Sequence, residues 1–239
     1  MINKVETLRN WIKESTNIVF FGGAGVSTES GIPDFRSTNG LYNLKYAYPP
    51  ERILSHTFFI NQTYEFYEFY RDKMLYINAQ PNITHKRLCE LEQAGKLNAV
   101  ITQNIDGLHQ KAGSKKVQEL HGSIHRNYCM KCNRFYDLDK VLNTKGVPYC
   151  ECGGIIKPDV VLYEEALKDE IIITSINAMK QADILIVGGT SLNVYPAAGL
   201  LQYYKGDRLV LINKSNTSYD NKAALVIHSS IGEVFREID

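Results

Sequence analysis

The sequence predicts an α/β protein: a Rossmann-like, doubly wound parallel sheet carrying a smaller domain made of a helical module and a four-cysteine module. Three observations lead there. Short apolar runs alternate along the chain with segments of helical periodicity, the pattern of strands buried on both faces and joined by crossover helices. The first run, Ile18-Val19-Phe20-Phe21, ends in Gly22-Gly23-Ala24-Gly25, where a backbone without Cβ atoms can approach an anion closely. Two stretches break the alternation, an aromatic-rich one over 37–83 and a cysteine-bearing one over 124–155. The expected division places 1–36, 84–123 and 156–239 in the sheet domain, with 37–83 and 124–155 as the small domain.

Taken in order, residues 5–14 space their apolar side chains as an amphipathic helix, and 18–21 form the first strand. Tyr64, Phe66, Tyr67, Phe69, Tyr70, Met74 and Tyr76 crowd one short region, expected to be helical and mostly core. Thr84 is expected to cap a helix that runs through His85, Leu88 and Leu91 and stops at Gly95. Strands follow at 98–102 and 117–120, and Asp159-Val160-Val161-Leu162 reads as another. A helix at 171–181 leads into a strand at 184–187; a helix at 196–204 and strands at 209–212 and 225–227 complete the pattern. There is no internal repeat or low-complexity tract.

With 239 residues, 44% of them hydrophobic, the chain can bury one main core and an appendage. A net charge of +1 argues against nucleic acid or an anionic membrane as main partner. Neither a signal peptide nor a membrane-spanning apolar run is evident, so a soluble cytoplasmic protein is expected.

Ligands of such a sheet lie outside the carboxyl ends of the strands. Polar motifs fall at those ends: 22–28 after the first strand, 103–106 after the second, His121 after the third, and 188–191 and 213–214 after the late ones. Thr28 replaces the third glycine of the usual dinucleotide fingerprint, which argues against an ordinary hydride-transfer dehydrogenase. Asp34-Phe35-Arg36 adds an acid, an aromatic lid and a phosphate-reading guanidinium. Cys129-Met130-Lys131-Cys132 and Cys150-Glu151-Cys152 form two close thiolate pairs that can close a tetrahedral zinc site with no open position, hence a structural one. The fifth cysteine, Cys89, lies on an amphipathic helix and is expected in the core.

Together these residues resemble the sirtuins, the NAD-dependent protein deacylases. The run 22–37 is similar to that family's signature, and Thr102-Gln103-Asn104-Ile105-Asp106-Gly107-Leu108-His109 to its second motif. Glu119-Leu120-His121-Gly122 resembles its catalytic-histidine motif, the four cysteines its zinc module, and Gly189-Thr190-Ser191-Leu192 and Ile212-Asn213-Lys214 its adenosine-binding turns. The motifs stand in the family's order from near residue 18 to near residue 231.

The resemblance implies NAD as a consumed cosubstrate, one structural zinc, and acetylated-lysine proteins or peptides as substrates. The products would be deacylated lysine, nicotinamide and 2′-O-acetyl-ADP-ribose. Ala24 and Thr28 would contact the pyrophosphate, Arg36 a phosphate, and Phe35 would cover the nicotinamide pocket. Asp106 and the backbone of Ile105 would hold the carboxamide, an acceptor and a donor matched to an amide. Gln103 and Ile231 would also line the cofactor site. Ser191 and Asn213 would hold the adenosine end beside Thr190 and Lys214, two residues equally compatible with ordinary turns. His121 would act as general base toward a ribose hydroxyl, a step suited to a near-neutral pKa. Asn104 would orient a ribose hydroxyl or a water. Of the other histidines, His56, His85 and His228 are expected at the surface or at caps and His109 is expected to be structural. His125, beside the cysteines, could substitute as a ligand, but the four cysteines already suffice.

On the substrate side, residues 157–165 resemble the strand that pairs with an extended peptide. Val160, Val161, Leu162 and Tyr163 would contact it from one side and Asn193 from the other. Two departures stand out: Glu164 occupies a position usually held by glycine and would narrow the groove, and Asn193 replaces an apolar residue. Members that prefer succinyl or malonyl groups carry a Tyr followed three residues later by Arg. Here Tyr67 is followed by Tyr70, and Arg71 falls one place late, so acetyl-lysine is the expected substrate. Protein mono-ADP-ribosylation and non-catalytic NAD sensing are the alternative readings; His121, Asn104 and Asp106 together favour deacylation.

Overall fold

The structure, a computed structural model, describes residues 2–35, 40 and 47–238. Its strands are β1 (Ile18–Gly22), β2 (Leu97–Thr102), β3 (Val117–Glu119), β4 (Gly122–Cys129), β5 (Phe135–Tyr136), β6 (Ile156–Val160), β7 (Ile184–Gly188), β8 (Arg208–Ile212) and β9 (Leu225–Ile227). Its α-helices are α1 (Ile2–Glu14), α2 (Pro50–Ile53), α3 (His56–Asn61), α4 (Thr63–Lys73), α5 (Ile83–Gln93), α6 (Leu108–Ala112), α7 (Leu138–Leu142), α8 (Asp169–Gln181) and α9 (Ile231–Arg236).

Six strands form a parallel sheet in the order β3-β2-β1-β7-β8-β9. The alternation within each strand separates two apolar layers. Ile18 and Phe20 of β1 join α1, α5 and α9 on one face, whereas Val19 and Phe21 join α8 and residues 197–201 on the other. Both faces are covered, as the continuous apolar runs predict, and the chain reverses direction across the sheet between β1 and β7.

A second, three-stranded antiparallel sheet, β5-β4-β6, forms the cysteine-bearing unit. Helices α2, α3, α4 and α7 supply its neighbouring core. Phe59 and Phe66 meet edge to face at 4.9 Å, and Phe66, Tyr67, Phe69 and Tyr70 are buried, so most of the aromatic cluster is core, as expected, whereas Tyr64 is exposed.

Three local expectations are corrected. The strand read at 159–162 instead spans Ile156–Val160 and joins the small antiparallel sheet. Its buried and half-exposed residues alternate, with Lys157 and Asp159 on the open face, the signature of an antiparallel strand. The cap of α5 is Asn82, not Thr84: the Asn82 side chain accepts from Thr84 N at 2.9 Å, and Asn82 N donates to His85 Nδ1 at 3.2 Å, closing a capping box. The helix expected at 196–204 is a 3-10 helix, Ala197–Tyr203. Cys89 is buried, as predicted.

Candidate functional site

The carboxyl ends of β1, β2, β7 and β8 open into one cavity of about 650 Å³, and His121, two residues past β3, reaches the same cavity. That volume falls in the range of roughly 300–1,000 Å³ typical of small-molecule sites. The turns after β1 and β7 touch backbone to backbone. Gly25 N donates to Gly189 O at 2.8 Å, and a Cβ on Gly189, whose φ is +60°, would lie 2.5 Å from Val26 N. Only glycine fits there, and the close approach leaves Ala24, Gly25, Thr190 and Ser191 side by side in the wall.

One hydroxyl joins the first two loops. Ser27 Oγ donates to Asp106 Oδ2 at 2.6 Å and accepts from Asn104 Nδ2 at 3.0 Å, while Leu108 N donates to Asp106 Oδ1 at 2.9 Å. Burial raises the Asp106 pKa above the usual carboxylate value, and the Ser27 and Leu108 hydrogen bonds partly oppose this. Gln103 ties the same loop to its neighbours: its N–H donates to Gly22 O at 2.9 Å and its amide to Thr190 Oγ1 at 3.1 Å.

His121 sits where β3 ends and β4 begins. Its Nδ1 lies 2.9 Å from Gln103 O. A carbonyl only accepts, so Nδ1 carries the proton and Nε2 keeps its lone pair. Burial lowers the His121 pKa, opposed by the Gln103 hydrogen bond, so the ring is a neutral base at pH 7. Gly122, at φ +76°, follows; a Cβ there would lie 1.8 Å from Asp159 O.

Val160, Val161, Leu162 and Tyr163 form the far wall of the cavity, with Leu54, Met74 and Tyr76. Tyr163 N donates to Leu54 O and His56 N to Tyr163 O, each at 3.0 Å, which fixes this segment against the helical unit. Glu164 takes φ +74°, which accounts for a glycine preference at such a position. Asn193 is exposed on its turn and outside the cavity lining. Neither Tyr67, Tyr70 nor Arg71 reaches the cavity: Tyr67 donates to Ile156 O, and Arg71 donates to the carbonyls of Val141 and Gly146. Among the described residues, no arginine lines it.

The four sulfurs of Cys129, Cys132, Cys150 and Cys152 lie within 4.8 Å of one another, with 129–152 at 3.4 Å and 132–150 at 3.6 Å. Tetrahedral zinc with Zn–S bonds of about 2.3 Å requires sulfurs about 3.8 Å apart, so the set fits. Lys131 N and Cys132 N point at Cys129 Sγ at 3.4 and 3.5 Å. The four cysteines gather without His125, whose Nε2 lies 3.2 Å from Asp106 O.

The Sir2 family profile matches residues 23–196. The chain belongs to the Sir2 family. An NAD-dependent protein deacetylase of Clostridium acetobutylicum is 60% identical over 100% of this chain and 99% of its own, and one of Staphylococcus aureus is 44% identical over 100% and 99%. A solved Sir2 enzyme superposes with a TM-score of 0.90 at 37% identity, covering 100% of this chain and 97% of that one. Another, solved as a complex of Sir2 with a p53 peptide and NAD+, has a TM-score of 0.87 at 37% identity over 98% and 97%.

Ala24, Thr28, Phe35, Gln103, Asn104, Ile105, Asp106, His121, Thr190, Ser191, Asn213, Lys214 and Ile231, the residues read from the sequence as cofactor contacts, all line this one cavity. Arg36 lies outside the described residues. The sequence reading missed Ser27, although it stands within the first motif, because residue types do not reveal that two loops meet at one hydroxyl. It also missed Ser229 and Ser230, which line the cavity after β9; two serines between a strand and the unpredicted helix α9 were the available signal.

Proposed function

We propose that this Sir2 chain is an NAD-dependent protein-lysine deacetylase, converting acetyl-lysine, NAD and water into lysine, nicotinamide and 2′-O-acetyl-ADP-ribose. One observation carries the reading: His121 offers an unprotonated Nε2 to a cavity whose walls are, on one side, glycine-rich strand ends and, on the other, an apolar strand segment. The activity of relatives at 60% and 44% identity supports it.

The residues present fit NAD: tight glycine turns at one strand end, a buried carboxylate with donors around it, and a base between them. NAD supplies an electrophilic ribose carbon as its cationic nicotinamide leaves. The chain's own residues do the rest. Ala24, Thr28 and Arg36 hold the pyrophosphate end, and Thr190, Ser191, Asn213, Lys214 and Ile231 the adenosine end. Asp106, whose pKa burial raises and the Ser27 and Leu108 bonds draw part-way back, accepts in its ionised form from the carboxamide, to which the Ile105 backbone donates. Gln103 orients His121 through its carbonyl. Phe35 excludes water from the reacting carbon. Asn104 orients a ribose hydroxyl, and His121 Nε2 takes its proton. Val160, Val161, Leu162 and Tyr163 present the acyl-lysine from the cavity wall, and the exposed Asn193, outside that lining, meets only the flanking peptide. Cys129, Cys132, Cys150 and Cys152 would hold a structural zinc, which would tie the turn at 129–132 to the turn at 150–152.

Acetylated-lysine proteins are the partners, with no role for nucleic acid or membrane. We place the protein in the cytoplasm by its likeness to the bacterial deacetylases; among the described residues no helix is long and apolar enough to cross a membrane. Nicotinamide release with and without an acetylated peptide tests the reading. Release should require the peptide and match its deacetylation mole for mole. Peptide-independent release, with ADP-ribose found on protein by mass spectrometry, would instead establish ADP-ribosyl transfer.

A further inference from the structure

The charges beside the substrate wall are not equivalent. Glu165 is compensated: its Oε2 lies 3.0 Å from Lys157 Nζ and its Oε1 lies 2.8 Å from His56 Nδ1. Glu164, one residue earlier, is exposed and also lines the cavity, yet its hydrogen-bond donor is neutral, the Thr57 N–H at 2.8 Å from Oε2. Hydrogen bonds from Thr57 hold its pKa below the usual carboxylate value, with His56 a smaller contributor, so the side chain is anionic at pH 7. A hydrogen bond to a neutral donor fixes a carboxylate in place without cancelling its charge.

The backbone makes the side chain conspicuous. At φ +74° glycine would be free of strain, whereas a residue with a Cβ is disfavoured by about 1–2 kcal/mol. The turn itself therefore does not call for glutamate. Val194 and the exposed Tyr195, which line the same cavity, carry no charge to answer it.

We infer that Glu164 selects among acyl-lysine polypeptides by charge, favouring a lysine or arginine close in sequence to the acetyl-lysine and disfavouring an acidic residue there. The inference rests on the deacetylase reading and names a substrate preference within it. An exposed carboxylate facing a mobile cation is a weak, screened interaction. The preference should be a several-fold effect on kcat/KM, carried by KM, and should shrink as salt rises.

The test is a set of acetyl-lysine peptides identical except for Arg, Gln or Glu placed in turn at each of the three positions on either side, assayed with the full chain. At one or more positions the kcat/KM ratio of the Arg to the Glu peptide should be about fivefold or more at low salt. In Glu164→Gln, which preserves length and the bond from Thr57 N–H, that ratio should fall toward one, and in Glu164→Lys it should invert. A flat ratio at every position, or one that Glu164→Gln leaves unchanged, overturns the inference while leaving the deacetylase reading intact. Deacetylation of none of the peptides overturns both. If Glu164 serves only the start of α3, the variants shift thermal stability with no change in the ratio, which also overturns it.

Discussion

Replacing Ser27 by alanine tests whether the cofactor site is organised by one buried hydroxyl. Ser27 is 1% exposed and sits between a carboxylate and an amide. Ser27→Ala deletes the 2.6 Å bond to Asp106 and the acceptor for Asn104. A hydrogen bond to a charged group is worth about 1.5–3 kcal/mol, so a loss of about 2 kcal/mol is expected. An unfolding entropy of about 2.1 cal/mol/K per residue, over a chain of this length, is about 0.5 kcal/mol/K, and Tm should fall by about 4 °C. The bond also favours the ionised form of Asp106, whose pKa burial already raises. Losing it moves that pKa further up. Because the ionised form is the one that accepts from the carboxamide, the acid limb of the rate profile should move to higher pH, with KM for NAD raised about tenfold. Scanning fluorimetry and initial rates from pH 5 to 9 measure all three. An alanine variant with unchanged Tm and an unmoved acid limb would refute the role assigned to this hydroxyl.

Three further outcomes are expected. His121→Ala should lower kcat for deacetylation by about 10²–10⁴-fold while NAD still binds by calorimetry, the loss expected for a general base; unaltered kcat would remove His121 from that role. Chelation of zinc should loosen 124–155 in hydrogen exchange and abolish activity indirectly, and a stripped protein equally active and heat-stable would show the metal to be dispensable. The buried rings of His85 and His109, with centroids 4.7 Å apart, should make stability fall with acid. Desolvation lowers His85 from 6.5 to about 4 and His109 well below its ordinary value. The unfolded chain therefore takes up protons from about pH 6.5 downward while the folded one does not. Stability should be flat above that pH and decline below it, with about 3 kcal/mol lost to His85 alone by pH 4. Chemical denaturation of His85→Leu across this range should show a shallower decline.

The parallel sheet was legible because both-face burial writes itself into continuous apolar runs such as Ile184-Leu185-Ile186-Val187. Strand ends were legible for the same reason, since the motifs begin where the runs stop. The antiparallel strand β6 was harder. Its alternation, Ile156-Lys157-Pro158-Asp159-Val160, is short and contains a proline, while the apolar triplet Val160-Val161-Leu162 imitates a buried strand. Ser27 escaped because its importance lies in a contact with residues about eighty positions away, and Asn82 because threonine and asparagine are comparable caps until His85 is seen to reach back.

The two sheets meet at the proposed base itself. Leu120 N donates to Thr102 O in the parallel sheet, whereas Val161 N donates to His121 O, so consecutive residues belong to different hydrogen-bonding systems. Gly122 permits the crossing because its left-handed φ and missing Cβ let the chain pass against the Asp159 carbonyl. The proposed peptide wall, which continues from β6 through Val161, is thereby tied to His121 by the same backbone bond. Any motion of the small sheet that shifts this wall must also displace His121 or break the bond at 161. The fold therefore couples the seating of an acyl-lysine to the placement of the imidazole, and a side chain at position 122 would misplace both at once.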